Sequence, residues 1–348
     1  MSPKRLTDKE LAKNPEIQLN NFKRTKDYLI AIDTDGCITD NMNGKQMLIF
    51  HPQFMEFYNL WGIETYFREV AEYYNLYSED RGCNRFVAIS LTLKALGTRE
   101  DVKSIINDKK LSLPDVGLLD RYISHAKEKN LGLGNPSLSD YISRNPTELF
   151  YYKLLGWSEA VNRTFTHISA KIPPFNGVKD KLDLMAEYAD IIVVSKTPYE
   201  DLVNYWENQS IDRYVQIIAG QEMGSKGHHI GVAKEAGVYE DDRTLMLGDG
   251  NGDLKAVKDN NGLFYPITPG KEQECWEGLP DALKMFTDGK YRGSYEKGLL
   301  DDFTKALPPR PPWEEAGYDH TSSYKERQNI RQDLYKRFNP EGRLAILK

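Results

Sequence analysis

Cysteine is scarce in this 348-residue chain: Cys37, Cys83 and Cys275 stand far apart and form no C-x-x-C pair. That argues against a disulfide framework or a cysteine-built zinc site and reads as a reducing compartment. Long apolar runs are also missing, and none approaches the roughly 18 residues of a membrane-spanning helix. The leading Met1-Ser2-Pro3-Lys4-Arg5 runs into a polar segment without the apolar core of a secretory signal. Nor is there a surplus of basic charge. Lys and Arg number 46 against 52 Asp and Glu, a net charge of −6, which leaves no electrostatic footprint for nucleic acid. The expectation is a cytoplasmic protein without a nucleic-acid or membrane partner.

What is present is an ordinary globular composition, 40% hydrophobic and 28% charged, in a chain long enough for a large core and two structural units. Residues 1 to about 26 are charged and read as a peripheral arm. Tyr28 to Ile32 is an apolar run of strand length. Four more follow in the second half: Asp190–Val194, Val215–Gly220, Thr244–Gly248 and Leu263–Ile267. Helical patterns separate them, and strands alternating with helices imply right-handed crossovers and a mostly parallel sheet. Between the first strand and the second, aromatic and charged residues interleave at helical spacing, as in Phe54–Trp61 and Tyr66–Ala71, with further helical stretches near 84–96, 114–129 and 147–161. The prolines and glycine of Ile172–Val178 mark the return crossing. The fold class is therefore α/β: a Rossmann-like, mostly parallel core from 1–40 and 173–348, with an inserted α-helical domain over 41–172. Residues after the last strand, including Pro308-Pro309-Arg310-Pro311-Pro312, are expected to wrap the core.

Chemistry gathers at the strand ends. The first strand runs into Asp33-Thr34-Asp35-Gly36, two carboxylates one residue apart. Side chains alternate along a strand, so both can point to one side, where they repel unless a cation or a shared proton offsets them. The second strand ends in Ser195-Lys196-Thr197, and the fourth in Gly248-Asp249-Gly250-Asn251-Gly252-Asp253, with Lys226 in the Gly-flanked loop before it. In a parallel sheet all carboxyl ends share one edge, so these groups can converge. Carboxylates, a hydroxyl and a lysine describe a hard cation beside a phosphate. Asp249-x-Asn251-x-Asp253 also opens like a calcium loop, but Leu254 stands where that loop needs Gly, and Asn260 where it needs Glu.

In this order the four segments resemble the motifs of the haloacid dehalogenase (HAD) superfamily of phosphohydrolases. Asp33-x-Asp35-Gly36 is similar to its D-x-D-G-T-x-x-D, with Cys37 where Thr is usual. Ser195 matches the strand-end Ser/Thr, Lys226 the lysine, and Gly248–Asp253 the G-D-x-x-x-D. The resemblance spans residues 28 to about 267. It implies a C1-type helical cap for the insert and a magnesium-dependent phosphomonoesterase acting on a small phosphorylated metabolite, with phosphomutase action on a sugar phosphate as the alternative. It also implies roles. Asp33 is the nucleophile that becomes an aspartyl-phosphate, and Asp35 moves the proton. Mg2+ is held by Asp33, Asp249 and the Asp35 backbone carbonyl, with Asp253 as the second acid of that motif, while Ser195 and Lys226 hold the phosphate. The superfamily's dehalogenases lack the second aspartate, so Asp35 points to C–O–P chemistry. Lys196 competes with Lys226 for the phosphate, and a phospho-accepting signalling or binding protein is a further alternative. His228 and His229 read as surface or helix-start residues. Arg81, Asn84 and Arg85 form a polar cluster kept outside the catalytic set.

Overall fold

A computed structural model of the chain describes residues 3–167 and 172–339. It has two compact units, Met1–Met42 with Ser169–Pro308, and Asn43–Ile168 with Pro309–Lys348.

The first unit is built on five strands: β1 (Tyr28–Ile32), β2 (Ala189–Val194), β3 (Ile217–Ala219), β4 (Thr244–Gly248) and β5 (Leu263–Pro266). Their order is β3-β2-β1-β4-β5 and every pairing is parallel. Every residue of β2, β3, β4 and β5 is buried, as a sheet covered on both faces requires. Of the covering helices, Val178–Tyr188 packs against Glu272–Thr287, and Lys226–Gly237 packs against Asn251–Lys258. Trp206, Trp276, Phe264 and Phe286 fill the core between sheet and helices. The α/β architecture is the one the alternating pattern implies.

The charged N-terminal arm is anchored more firmly than its composition suggests. Leu6, Leu19 and Phe22 are buried. Buried Asp190 accepts from the Thr25 amide at 2.7 Å, the Lys26 amide at 2.8 Å and the Thr25 hydroxyl at 2.5 Å, and also from Gln216 and the Tyr239 hydroxyl. A carboxylate near the start of β2 thus spends its acceptors fixing the approach to β1.

The second unit is helical. Its helices include His51–Tyr58, Glu64–Leu76, Arg85–Thr98, Val116–Glu128 and Leu149–Thr166, packed through Phe54, Phe67, Phe86, Tyr122 and Trp157. Shorter helices at Glu100–Asp108 and Asn135–Arg144 were not apparent in the pattern. Arg81, Asn84 and Arg85 act within this unit. The Arg81 guanidinium donates to the Leu76 carbonyl, Asn84 caps the helix that Arg85 begins, and Arg85 donates to Ser158 and Asn162.

The C-terminal segment corrects an expectation. Residues from Pro309 onward belong to the helical unit, not to a wrap around the sheet. Ion pairs and the buried side chains of Leu334 and Phe338 hold them there. Helix Glu64–Leu76 carries Glu69 and Glu72 on its buried face, and a buried carboxylate must be paired. The final helix, His320–Phe338, supplies the partners: Arg331 lies 2.6 Å from Glu72, Arg327 3.0 Å from Glu69 and 3.1 Å from Glu72, and His320 3.0 Å from Glu69.

Candidate active site

The register of the sheet brings the strand-end motifs level. Ile32 of β1 pairs with Val193 of β2 and with Leu247 of β4, so Asp33 stands one residue short of the level of Ser195 on one side and of Asp249 on the other. Neighbouring strands lie about 4.8 Å apart. The chain leaves β1 for β2 on one side and later enters β4 on the other. The crevice between β1 and β4 is therefore the topological switch point, where open α/β sheets bind ligands.

The turn after β1 is tightly made. The Asp33 amide donates to Leu247 of β4, extending the sheet by one bond, and the Asp33 carboxylate accepts from the Thr34 amide at 2.8 Å. Gly36 takes a φ of +76°, and the amides of Cys37, Ile38 and Thr39 turn back to the Thr34 carbonyl. Only glycine adopts that φ without a steric penalty. Cys37 is fully buried, and its carbonyl accepts from Trp276 Nε1 at 2.9 Å.

The centre of the site is an ion cluster. Lys226, first residue of the helix Lys226–Gly237, has its ammonium 2.6 Å from Asp33 Oδ2 and 2.5 Å from Asp253 Oδ1. Ligand oxygens of Asp33, Asp249 and Asp253 lie within 4.8 Å of one another, and all three residues are buried. Burial pushes the Asp33 carboxyl up, with Asp253 and Asp249 adding to the rise, and the Lys226 ammonium at 2.6 Å pulls it back. Burial alone would lower Lys226, but Asp253 and Asp33 outweigh it and hold the ammonium charged. One cation faces three carboxylates. The buried, all-oxygen donor set of Asp33, Asp249 and Asp253 fits a hard divalent cation.

Asp253 has a second task. Its Oδ2 accepts from the amides of Asp249 and Gly250 at 3.2 and 3.1 Å, capping the helix Asn251–Lys258. The same contact explains Gly248, because a Cβ there would overlap the Asp253 side chain.

Ser195 is buried at the end of β2, and its Oγ accepts from the Thr197 amide at 3.2 Å. Lys226, not Lys196, makes the ion pairs with Asp33 and Asp253. The exposed Lys196 ammonium lies beside Gly252, 3.7 Å from where a side chain would begin. His228 and His229 both fall in the first turn of the helix Lys226–Gly237, as expected of helix-start residues; His229 is buried, whereas His228 reaches Glu16 at 2.9 Å from a more exposed position.

Asp35 is held apart from the carboxylate cluster. Its Oδ2 accepts from the Thr197 hydroxyl at 3.0 Å and its Oδ1 from the Asn41 side-chain amide. Neither partner was assigned a role from the sequence. Thr197 carried a signal, two residues beyond Ser195 and so on the same side of an extended chain. Asn41 carried none, because its approach depends on how the 34–39 turn closes.

No family model and no curated protein matches the chain. Solved structures resemble it, among them proteins described as HAD-superfamily or haloacid dehalogenase-like hydrolases. A haloacid dehalogenase-like hydrolase from Xanthomonas campestris is 9% identical over 78% of this chain and 97% of its own, with a TM-score of 0.42. A predicted phosphatase from Clostridium acetobutylicum is 13% identical over 76% of this chain and 100% of its own, with a TM-score of 0.37. The defluorinating L-2-haloacid dehalogenase Rha0230 is 12% identical over 70% of this chain and 82% of its own, with a TM-score of 0.34. At these values the likeness stands only as a likeness, and the reading of the site rests on its own residues.

Proposed function

We propose that this chain is a HAD-superfamily phosphomonoesterase that cleaves a small phosphate ester through an aspartyl-phosphate on Asp33. The observation that carries the reading is the buried Asp33–Lys226–Asp253 ion cluster, joined by Asp249 at the switch point of a parallel sheet. A nucleophilic carboxylate for phosphorus must be fixed, shielded from water and close to positive charge, so that an approaching phosphate is not repelled.

Magnesium fits the donor set, with Asp33 and Asp249 as the residues that would hold it and Asp253 fixing the loop that carries Asp249. When bound, such an ion neutralises charge on the phosphoryl oxygens. The protein's own residues do the remainder. Lys226 keeps Asp33 oriented through its hydrogen bond and contributes a permanent positive charge. Ser195, with one hydroxyl hydrogen to give, donates to a phosphoryl oxygen. Asp33 attacks phosphorus, the P–O bond to the alcohol breaks, and the alcohol oxygen leaves with the electron pair and takes the proton from Asp35. Asp35, now ionised, accepts a proton from the water that attacks the aspartyl-phosphate, which frees phosphate and restores the Asp33 carboxylate and the protonated Asp35.

The test is a panel of phosphate esters assayed with and without Mg2+, with products identified. Release of inorganic phosphate that requires Mg2+ and is abolished in Asp33→Asn supports the reading. Turnover retained in Asp33→Asn removes the nucleophile assignment, and an isomerised sugar phosphate in place of free phosphate makes the protein a mutase.

A further inference from the structure

We infer that Thr197 is a positioning residue that aims the Asp35 carboxyl at the leaving group and couples it mechanically to the phosphate-holding Ser195; this rests on the phosphomonoesterase reading. Four hydrogen bonds form a chain. The Thr197 amide donates to Ser195 Oγ at 3.2 Å, and the Thr197 hydroxyl donates to Asp35 Oδ2 at 3.0 Å. The Asn41 side-chain amide donates to Asp35 Oδ1, and the Gly36 amide donates to Asn41 Oδ1 at 3.2 Å. Thr197 itself is pinned, because its carbonyl accepts from the Gln221 amide at 3.1 Å.

Thr197 and Asn41 are chemically unequal as partners of Asp35. The Gly36 amide needs an oxygen, which orients the Asn41 side chain with its NH2 toward Asp35. An amide NH2 can only donate, so Oδ1 is kept as an acceptor. A hydroxyl can donate or accept, so Thr197 stays bonded to Oδ2 whether or not that oxygen carries the proton. Oδ2 is thereby the oxygen from which the proton leaves for the alcohol when the P–O bond breaks, and to which water's proton returns. Thr197 touches neither phosphorus nor the alcohol. It fixes the direction in which Oδ2 points, relative to the Ser195 hydroxyl two residues away.

Leaving-group dependence separates this role from a merely structural one. An alkyl phosphate needs its departing oxygen protonated, whereas p-nitrophenolate departs without help. Full-length wild type, Thr197→Val and Thr197→Ser are compared with Mg2+ in single-turnover reactions on p-nitrophenyl phosphate and on an alkyl phosphate from the active panel. Thr197→Val is expected to slow phosphoryl transfer from the alkyl ester about tenfold, the scale of one lost aligning hydrogen bond, and to slow the aryl burst less than about twofold. Thr197→Ser keeps the hydroxyl and restores both. Thr197→Cys, a smaller change with a poor donor, carries the same expectation as Thr197→Val should the valine prove unfolded by circular dichroism. Equal slowing of both esters, or slowing of neither, overturns the inference while leaving the phosphatase reading intact. A wild type that cleaves no ester of the panel overturns that reading, and this inference with it.

Discussion

Lys226 Nζ lies 2.6 Å from Asp33 Oδ2, and the same ammonium reaches Asp253. The lysine named as a phosphate ligand thus also holds two of three buried carboxylates together. Lys226→Met removes the cation and leaves the acids uncompensated, a loss of about 3–5 kcal/mol by analogy with other broken buried pairs. Urea unfolding in chelator should show that loss, and saturating Mg2+ should recover more stability in the variant than in wild type. Turnover should fall at least about a hundredfold. A variant as stable as wild type in chelator would mean that Lys226 does not offset the carboxylate charge.

The sheet and the strand-end positions of Asp33, Ser195 and Asp249 were legible because they follow rules of period and order. Buried parallel strands are apolar throughout, and polar residues at their carboxyl ends share an edge whatever the loops do. The ion pair of Lys226 with Asp33 was harder to foresee. It depends on where the helix Lys226–Gly237 begins, which is fixed by the Ser225 cap on His228. Thr197 and Asn41 were missed because their roles arise from tertiary closure of two turns. The C-terminal helix was misplaced for a different reason. Its mean composition is polar, which suggests a solvated wrap, yet Arg327 and Arg331 are spaced i,i+4, one helical face, and are matched by Glu69 and Glu72 some 260 residues earlier. Spacing in one segment could not name its partner in another.

That pairing makes a prediction of its own. Glu72 is fully buried, and burial pushes its carboxyl up against the pull of Arg331, Arg327 and Arg68. Arg331→Met should destabilise the protein by about 1–3 kcal/mol, because Glu72 loses its nearest cation and keeps Arg327 at 3.1 Å. Adding Glu72→Gln should return much of this, since a neutral amide is far less costly to bury than a carboxylate. A double-mutant cycle by urea denaturation reads the coupling. Additive losses would mean that the two side chains do not depend on each other.

Stability should also fall on acidification, with His51 and His229, both buried, contributing, and His51 is the one to test. His51 is fully buried against Phe67, and among the described residues neither ring nitrogen has a hydrogen-bond partner. Burial holds its pKa well below the usual value, with Arg68 and Arg331 adding to the shift. The folded chain therefore keeps the ring neutral, while the unfolded chain takes up a proton below about pH 6.5. More protons bound in the unfolded state means that stability is fully present above that pH and declines as pH falls through it. His51→Leu should flatten the decline between about pH 6.5 and 5 in denaturation midpoints. An unchanged slope would assign the acid sensitivity elsewhere.

A last prediction concerns a residue in the wrong conformation for its type. Val238 ends the helix Lys226–Gly237 in the left-handed region, at φ +51° and ψ +50°, with its side chain 78% exposed. A β-branched side chain there crowds the backbone, at a cost of roughly 1–2 kcal/mol. Glycine at that cap position carries no such strain. The cap's own bonds, from the Val238 amide to Lys234 and Glu235, and the Arg24 bond to the Val238 carbonyl, are all backbone-based on the Val238 side. They survive loss of the side chain, and little apolar area is sacrificed. Val238→Gly should raise stability by about 0.5–1 kcal/mol, the relief of strain reduced by the greater entropy of an unfolded glycine. Val238→Ala, which keeps a Cβ but not the branching, should fall between the two. If the glycine variant is the less stable in urea titration, the valine side chain contributes more at this helix end than its exposure implies.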